Sequence, residues 1–135
     1  MTIERARRLA TTIASKFDVF DCDKCAKAIA RRLGKDFQAR FERLSIVGEG
    51  DIIGLAATDM QISKNGVHVG VRIGDIIVDN IHPDGVPADK WPDQFIAEYD
   101  APLEHESRST REFFGMIFLA ERFNRWLFRN RRTGA

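Results

Sequence analysis

The stretch "NGVHVGVRIGDIIVDN", residues 65–80, decides how this chain folds. Two apolar runs, "VHVGVRI" and "IIVDNI", are separated by Gly74 and Asp75 alone. A glycine at the first central position of a two-residue loop suits a primed turn, whose twist matches that of paired strands. With that turn, Ile73 faces Ile76, Val71 faces Val78, Gly70 faces Asp79 and His68 faces Ile81. Residues two apart on a strand share a face, so His68, Gly70 and Asp79 point the same way. His68 and Asp79 then lie on a diagonal, roughly 7 Å apart between backbones. Gly70 between them leaves room for the imidazole to lean toward the carboxylate, while Asn80 points with Val69 to the opposite face.

Upstream, "MQIS" is joined to this hairpin through Lys64-Asn65-Gly66, and Asn-Gly is a strong hairpin signal. The expectation is an antiparallel meander of at least three strands. Downstream, "HPDGVPADKWP" holds three prolines and reads as an ordered loop, with Asp84 and Gly85 making a turn, before a short strand in "FIAEY". Before the meander, Ile3, Ala6, Leu9, Ile13 and Phe17 recur with a helical period. A second helix from about Asp21 to Leu33 puts Cys22, Cys25, Ala26, Ile29 and Leu33 on one face, and Gly34 stops it. "FQARFERLSIV" suits either period and is assigned to a strand. Ser109 and Glu112 form a capping box for a long last helix over 108–130. The plan is α+β: N-terminal helices packed on a small antiparallel β-meander, plus a long C-terminal helix, in one domain spanning 1–135.

Composition agrees with a soluble globular chain, 44% hydrophobic and 30% charged over 135 residues. The net charge of +1 is unevenly spread: residues 1–44 carry +5, 45–100 carry −7 and 101–135 carry +3. Basic ends packing near an acidic middle, an acidic face meeting a cationic partner, and plain solvated helix faces all fit that pattern. No stripe of basic and aromatic residues marks a nucleic-acid platform, so nucleic acid is not an expected partner. Two cysteines cannot make a secreted disulfide framework, which points to a reducing compartment. The N-terminus has no signal-peptide pattern, and the longest apolar stretch, "FFGMIFLA", is too short to span a bilayer. The expected location is the cytoplasm, or a target cell into which the chain is delivered.

The two cysteines, Cys22 and Cys25, stand three apart at a helix start. A thiol there is favoured as thiolate by the helix N-terminus and by a neighbouring imidazolium. His68 can take its proton and Asp79 can orient the ring, in the order of a nucleophile, base and acid triad. Each piece has a plainer reading: a core thiol, a structural histidine, an aspartate bonded to the following turn. A thioredoxin-like redox pair is opposed by Lys27 and by the missing Trp and Pro of that motif. A zinc site from Cys22, Cys25 and two of His68, His82 and His105 matches no familiar spacing. No metal and no cofactor are expected.

"CDKCAKAIARRL", "ISKNGVHVGVRIGDIIVDNIHPDGV" and the following "KW" resemble, in that order, the papain-fold toxin domains of bacterial polymorphic toxin systems. Those domains belong to the papain-like superfamily of cysteine peptidases, deamidases and acyltransferases. The resemblance covers 17–95. It implies a nucleophile in the C-x-x-C-A segment, a base at His68 and an orienting acid at Asp79. Cys22 is favoured because it comes first on the helix; the alternative nucleophile is Cys25, since papain-type peptidases carry two cysteines three apart with the second attacking. The Gln that those peptidases place six residues before the nucleophile is absent: Lys16 or Val19 stands there. The oxyanion donor must then come from backbone amides or from elsewhere in the fold. Asn80, His82 and Trp91 are candidate site-shaping residues, Trp91 either as a wall over the catalytic hydrogen bond or as plain packing.

The expected function is a thiol enzyme, a peptidase or an amidohydrolase, deamidase or acyl-transfer enzyme, acting as a bacterial toxin or effector. Its partners would be a protein or peptide substrate and a cognate immunity protein. The alternative is a non-catalytic interaction module of the same fold docking through its C-terminal helix. In that helix, Arg122, Arg125 and Arg129 suit solvent near a C-terminus, with partner or membrane-surface docking as the second reading.

Overall fold

The computed structural model describes residues 1–110, Lys35 by its backbone alone, and Trp126. Helix α1 spans Ile3–Ala14, opened by Thr2, whose hydroxyl accepts the Arg5 amide at 3.1 Å. Helix α2 spans Cys22–Leu33 and ends where Gly34 takes the left-handed φ of 63°. Eight strands follow: β1 Arg40–Ile46, β2 Ile53–Leu55, β3 Gln61–Ser63, β4 Val67–Ile73, β5 Ile76–Val78, β6 Val86–Pro87, β7 Phe95–Ala97 and β8 Leu103–Ser109.

They form two sheets, β6-β5-β4-β1-β8 and β3-β2-β7, with every pairing antiparallel. The helices lie on one face of the larger sheet. There Ala6, Ala10, Ala14, Cys25, Ala26, Ile29 and Leu33 pack against Val67, Val69, Val71 and Ile73. The alanine stripe lets α1 approach closely, and the β-branched side chains fill the sheet surface. The opposite face carries Leu44, Ile46 and Ile77 against Ile53, Ile62, Trp91 and Phe95 from the smaller sheet and its loops. His68 and Asp79 belong to this second face.

The β4–β5 hairpin has the expected register, Ile73 opposite Ile76 and Val71 opposite Val78, across Gly74 at φ 65°. The three-stranded meander needs correction. β3 pairs with β2 in the smaller sheet, and Asn65-Gly66 is a crossing between sheets rather than a hairpin turn. Asn65 Oδ1 accepts the Val67 amide at 3.2 Å and the Ser63 hydroxyl at 2.8 Å, while Gly66 bonds to Asp51 and Ile46. Backbone groups that would have closed a hairpin are spent on the β1–β2 connection.

A second correction concerns the start of the last helix. Residues 103–109 form the outer strand β8, paired with β1 along its length, and Ser109 lies opposite Arg40. Ser109 is therefore the last residue of a strand, and the helix begins no earlier than Thr110. Thr110 follows, bonding to the Ala39 carbonyl through its amide at 3.2 Å and its hydroxyl at 2.9 Å. The remainder of the expected C-terminal helix, apart from Trp126, lies outside the described residues. Trp126 packs on the helix-side core, where the buried Arg43 stacks on its ring and pairs with Glu106.

Candidate active site

The β4–β5 ladder stops at Val71 and Val78, so the part of β4 that holds His68 has no partner from β5. Asp79 turns the chain there. Its amide bonds to the His82 carbonyl at 3.4 Å, and the Gly85 amide closes a turn onto the same carbonyl at 3.0 Å. Asp84 and Gly85 thus sit in a turn, as expected. Asn80 swings away from the His68 face, as the alternation requires. Its Nδ2 donates to the Asp18 carbonyl at 2.8 Å, in the loop that leads into α2. The end of the hairpin is thereby fastened to the segment that presents Cys22.

Asp79 is buried and fully engaged. Oδ2 accepts His68 Nε2 at 2.9 Å and the Trp91 indole N–H at 2.8 Å. Oδ1 accepts the amides of Ile81 at 2.9 Å and His82 at 2.6 Å, with His82 Nδ1 at 3.1 Å. Burial alone would push its carboxyl up. The charge and hydrogen bond of His68, then those of His82, outweigh burial and hold it well below the usual carboxylate range. For His68, 0% exposed, burial favours the neutral ring, but the Asp79 charge and hydrogen bond, followed by Cys22, raise it to about 10.

Rings of Trp91 and Phe95 enclose the imidazole, with centroids 5.8 and 4.7 Å away. The Trp91 edge occupies the space over Gly70, where a Cβ would lie 3.3 Å from Trp91 Cζ2 and 2.8 Å from Ile77 Cγ2. Gly70 therefore makes room for the tryptophan. Trp91 is both a wall beside the histidine and a donor to its carboxylate, a contact that no spacing in the sequence announces because it reaches Asp79 from an irregular loop.

His68 Nε2 is committed to Asp79, which leaves Nδ1. That atom has no hydrogen bond among the described residues, and after Asp79 the Cys22 thiol is the next group that raises the ring's proton affinity. The two cysteines differ sharply. Cys25 is 0% exposed in the helix-side core, and burial first, then the charges of Asp79 and Cys22, push its thiol up to about 12. Cys22 is half-buried and lines a cleft of about 410 Å³. Both are free thiols.

The first bond of α2 runs from the Cys25 amide to the Asp21 carbonyl at 3.0 Å, and the Asp21 side chain makes no cap. The amides of Cys22, Asp23 and Lys24, in the first turn that carries the thiol, therefore have no intrahelical acceptor. His105 is not brought to this group: its Nε2 lies 3.5 Å from the buried Glu42, on the far side of Trp91. Among the described residues no cluster of three or more His, Cys, Asp or Glu is placed to hold a metal ion, and no helix is long and apolar enough to cross a membrane.

A family model described as papain fold toxin 2 matches residues 5–96, from α1 into β7. No curated protein and no solved structure gives a match. The matched segment carries both helices, the hairpin and the Trp91 loop, and β8 lies beyond it. Over two-thirds of its length, including every residue gathered around Asp79, this chain belongs to the papain fold toxin 2 family.

Proposed function

We propose that the chain is a toxin acting as a thiol hydrolase or acyl-transfer enzyme, with Cys22 as nucleophile, His68 as base and Asp79 as the group that orients His68. The observation that carries this reading is the buried His68–Asp79 pair, whose uncommitted ring nitrogen is left for the half-buried Cys22. Cys25, a thiol held protonated in the core, is assigned to packing.

The chemistry follows from the geometry. His68 Nδ1 accepts the Cys22 proton, and the sulfur attacks the carbonyl carbon of a peptide bond or of a glutamine side-chain amide. The tetrahedral oxyanion is met by the free amides at the start of α2, which replace the missing side-chain donor. His68 returns the proton to the leaving amine, and the carbon–nitrogen bond breaks to give a thioester. Water, deprotonated by His68, releases the acid, or another nucleophile takes the acyl group. Asp79 keeps Nε2 as the donor so that Nδ1 can accept, and Trp91 and His82 hold Asp79 ionised. A single domain over 1–135, action in the reducing cytoplasm of a target cell, and neutralisation by a cognate immunity protein complete the proposal.

The test is alkylation by iodoacetamide at pH 6 to 7, located by mass spectrometry. The expected result is rapid modification of Cys22 alone, with that advantage lost in His68→Ala. Equal, slow labelling of both cysteines would overturn the enzyme and favour a non-catalytic interaction module.

A further inference from the structure

The cleft beside Cys22 lies between the start of α2 and the crossing that joins the two sheets. Its apolar wall is Phe20 and Ile62, and Lys64 stands at its mouth. Three features single it out.

Phe20 is the first. A bulky residue at φ 76° is a backbone outlier, and such conformations persist where the surrounding structure holds them. Here the outlier sits two residues before the thiol and leaves the phenyl ring 45% exposed rather than packed in a core. The second is Lys64. Its ammonium lies 4.8 Å from the Phe20 ring centroid, a cation–π contact, and no carboxylate among the described residues pairs with it. The third is the opposite wall. Asp23 also faces the cleft, but it belongs to the first turn of α2, where the helix N-terminus already favours a negative charge. The cleft thus presents an unpaired cation on an aromatic platform, and its one lining carboxylate has compensation of its own.

Resting on the assignment of Cys22 as nucleophile, we propose that this cleft is the subsite for the substrate residue next to the attacked carbonyl, and that it takes an acidic side chain. The aliphatic part of a Glu or Asp would lie along the exposed Phe20 ring, and its carboxylate would meet the Lys64 ammonium at the mouth. Lys64 acts as a specificity residue, and Phe20 positions it.

The test uses peptidyl acyloxymethyl ketones with Glu, Gln or Lys adjacent to the electrophile, which alkylate a reactive thiol with loss of the carboxylate leaving group. The second-order rate of Cys22 modification is read for each. One ion pair near water at about 4 Å gives up to roughly a five-fold advantage at low salt, less as salt screens it. The Glu probe should therefore lead the isosteric Gln probe by about two- to five-fold, with the Lys probe slowest. That lead should shrink at high salt, vanish in Lys64→Gln and persist in Lys64→Arg. Equal rates for the Glu and Gln probes, or a Glu preference that survives Lys64→Gln, would overturn the subsite while leaving a reactive Cys22 in place. Failure of all three probes to modify Cys22 would overturn the nucleophile assignment and the subsite with it.

Discussion

Asp79→Asn exchanges one carboxylate oxygen for an amide at a position that accepts hydrogen bonds from His68, Trp91 and two backbone amides. If Oδ1 keeps the Ile81 and His82 amides, the new Nδ2 faces two donors, His68 Nε2 and the Trp91 indole. The conflict with His68 is relieved only when Nε2 gives up its proton and becomes an acceptor, which places the remaining ring proton on Nδ1, toward Cys22. Without the Asp79 charge, burial governs the ring and lowers its affinity for a second proton. His68 then cannot accept the thiol proton. An unassisted thiol of pKa about 8.5 is about 1% thiolate at pH 6.5, so a thiolate held opposite an imidazolium leads it by up to about 100-fold. The lower intrinsic nucleophilicity of a low-pKa thiolate takes back about half of that lead on a logarithmic scale. Iodoacetamide modification of Cys22 at pH 6.5 should therefore fall by about 10- to 100-fold in Asp79→Asn, and by much less at pH 9, where any thiol ionises. The Trp91 N–H loses its acceptor at a cost of about 1–3 kcal/mol, so the comparison is made below the melting transition with the fold checked by circular dichroism. A folded Asp79→Asn protein that labels Cys22 at the wild-type rate at pH 6.5 would refute the role given to Asp79.

Three further outcomes follow from the same contacts. Cys25→Ala should retain fast Cys22 labelling while lowering stability by about 1 kcal/mol or more, since it empties a small core volume; a reactivity loss equal to that of Cys22→Ala would exchange the roles of the two thiols. Gly70→Ala drives a methyl to within 3.1 Å of the Val78 carbonyl and 3.3 Å of Trp91, so it should cost about 1–3 kcal/mol in urea unfolding and shift Trp91 off Asp79; a neutral effect on both stability and reactivity would refute the packing account. The raised His68 contributes stability that is fully present below its unfolded value of 6.5 and lost as pH rises toward about 10, whereas the depressed Asp79 contributes stability present above 3.8 and lost as pH falls below it. In Cys22→Ala, where no thiol exchanges a proton with His68, unfolding free energy should plateau between about pH 4 and 6.5, then decline by roughly 1 kcal/mol per pH unit up to pH 9, where Cys25 begins to add its own loss; a decline of the same slope after adding Asp79→Asn would assign it to another group.

The parts of the fold legible in the sequence are those whose cause is local. Gly74 between two β-branched runs sets the hairpin register by itself, and that register brings His68 and Asp79 to one face. The helices announce themselves by period and by Gly34. The parts that were not legible depend on distant partners. "LEHESRS" carries no apolar alternation, yet it is a strand because all seven of its residues pair with β1, and its Glu106 meets the buried Arg43. The Asn65-Gly66 step looks like a hairpin turn until the β1–β2 connection competes for the backbone of Gly66. Trp91 reaches Asp79 from a loop with no period at all. The family match covers these loops as well as the regular elements from α1 into β7.

The C-x-x-C spacing marks where both kinds of information meet. Positions i and i+3 on a helix are neighbours, and in sequence the two thiols read as members of one apolar face. Three residues along α2 nevertheless carry the chain from its rim into its core. Cys25 packs among Ala26, Ile29 and the valines of β4, and burial there pushes its thiol up to about 12. Cys22 stays at the first position of the helix, beside amides without acceptors and at the edge that β5 leaves open next to His68. Had β5 continued its ladder past Val78, the strand would have occupied the approach to His68, and Asn80 could not have held the Asp18 loop. The early end of that one strand leaves the edge beside His68 open, on the side where Cys22 begins α2.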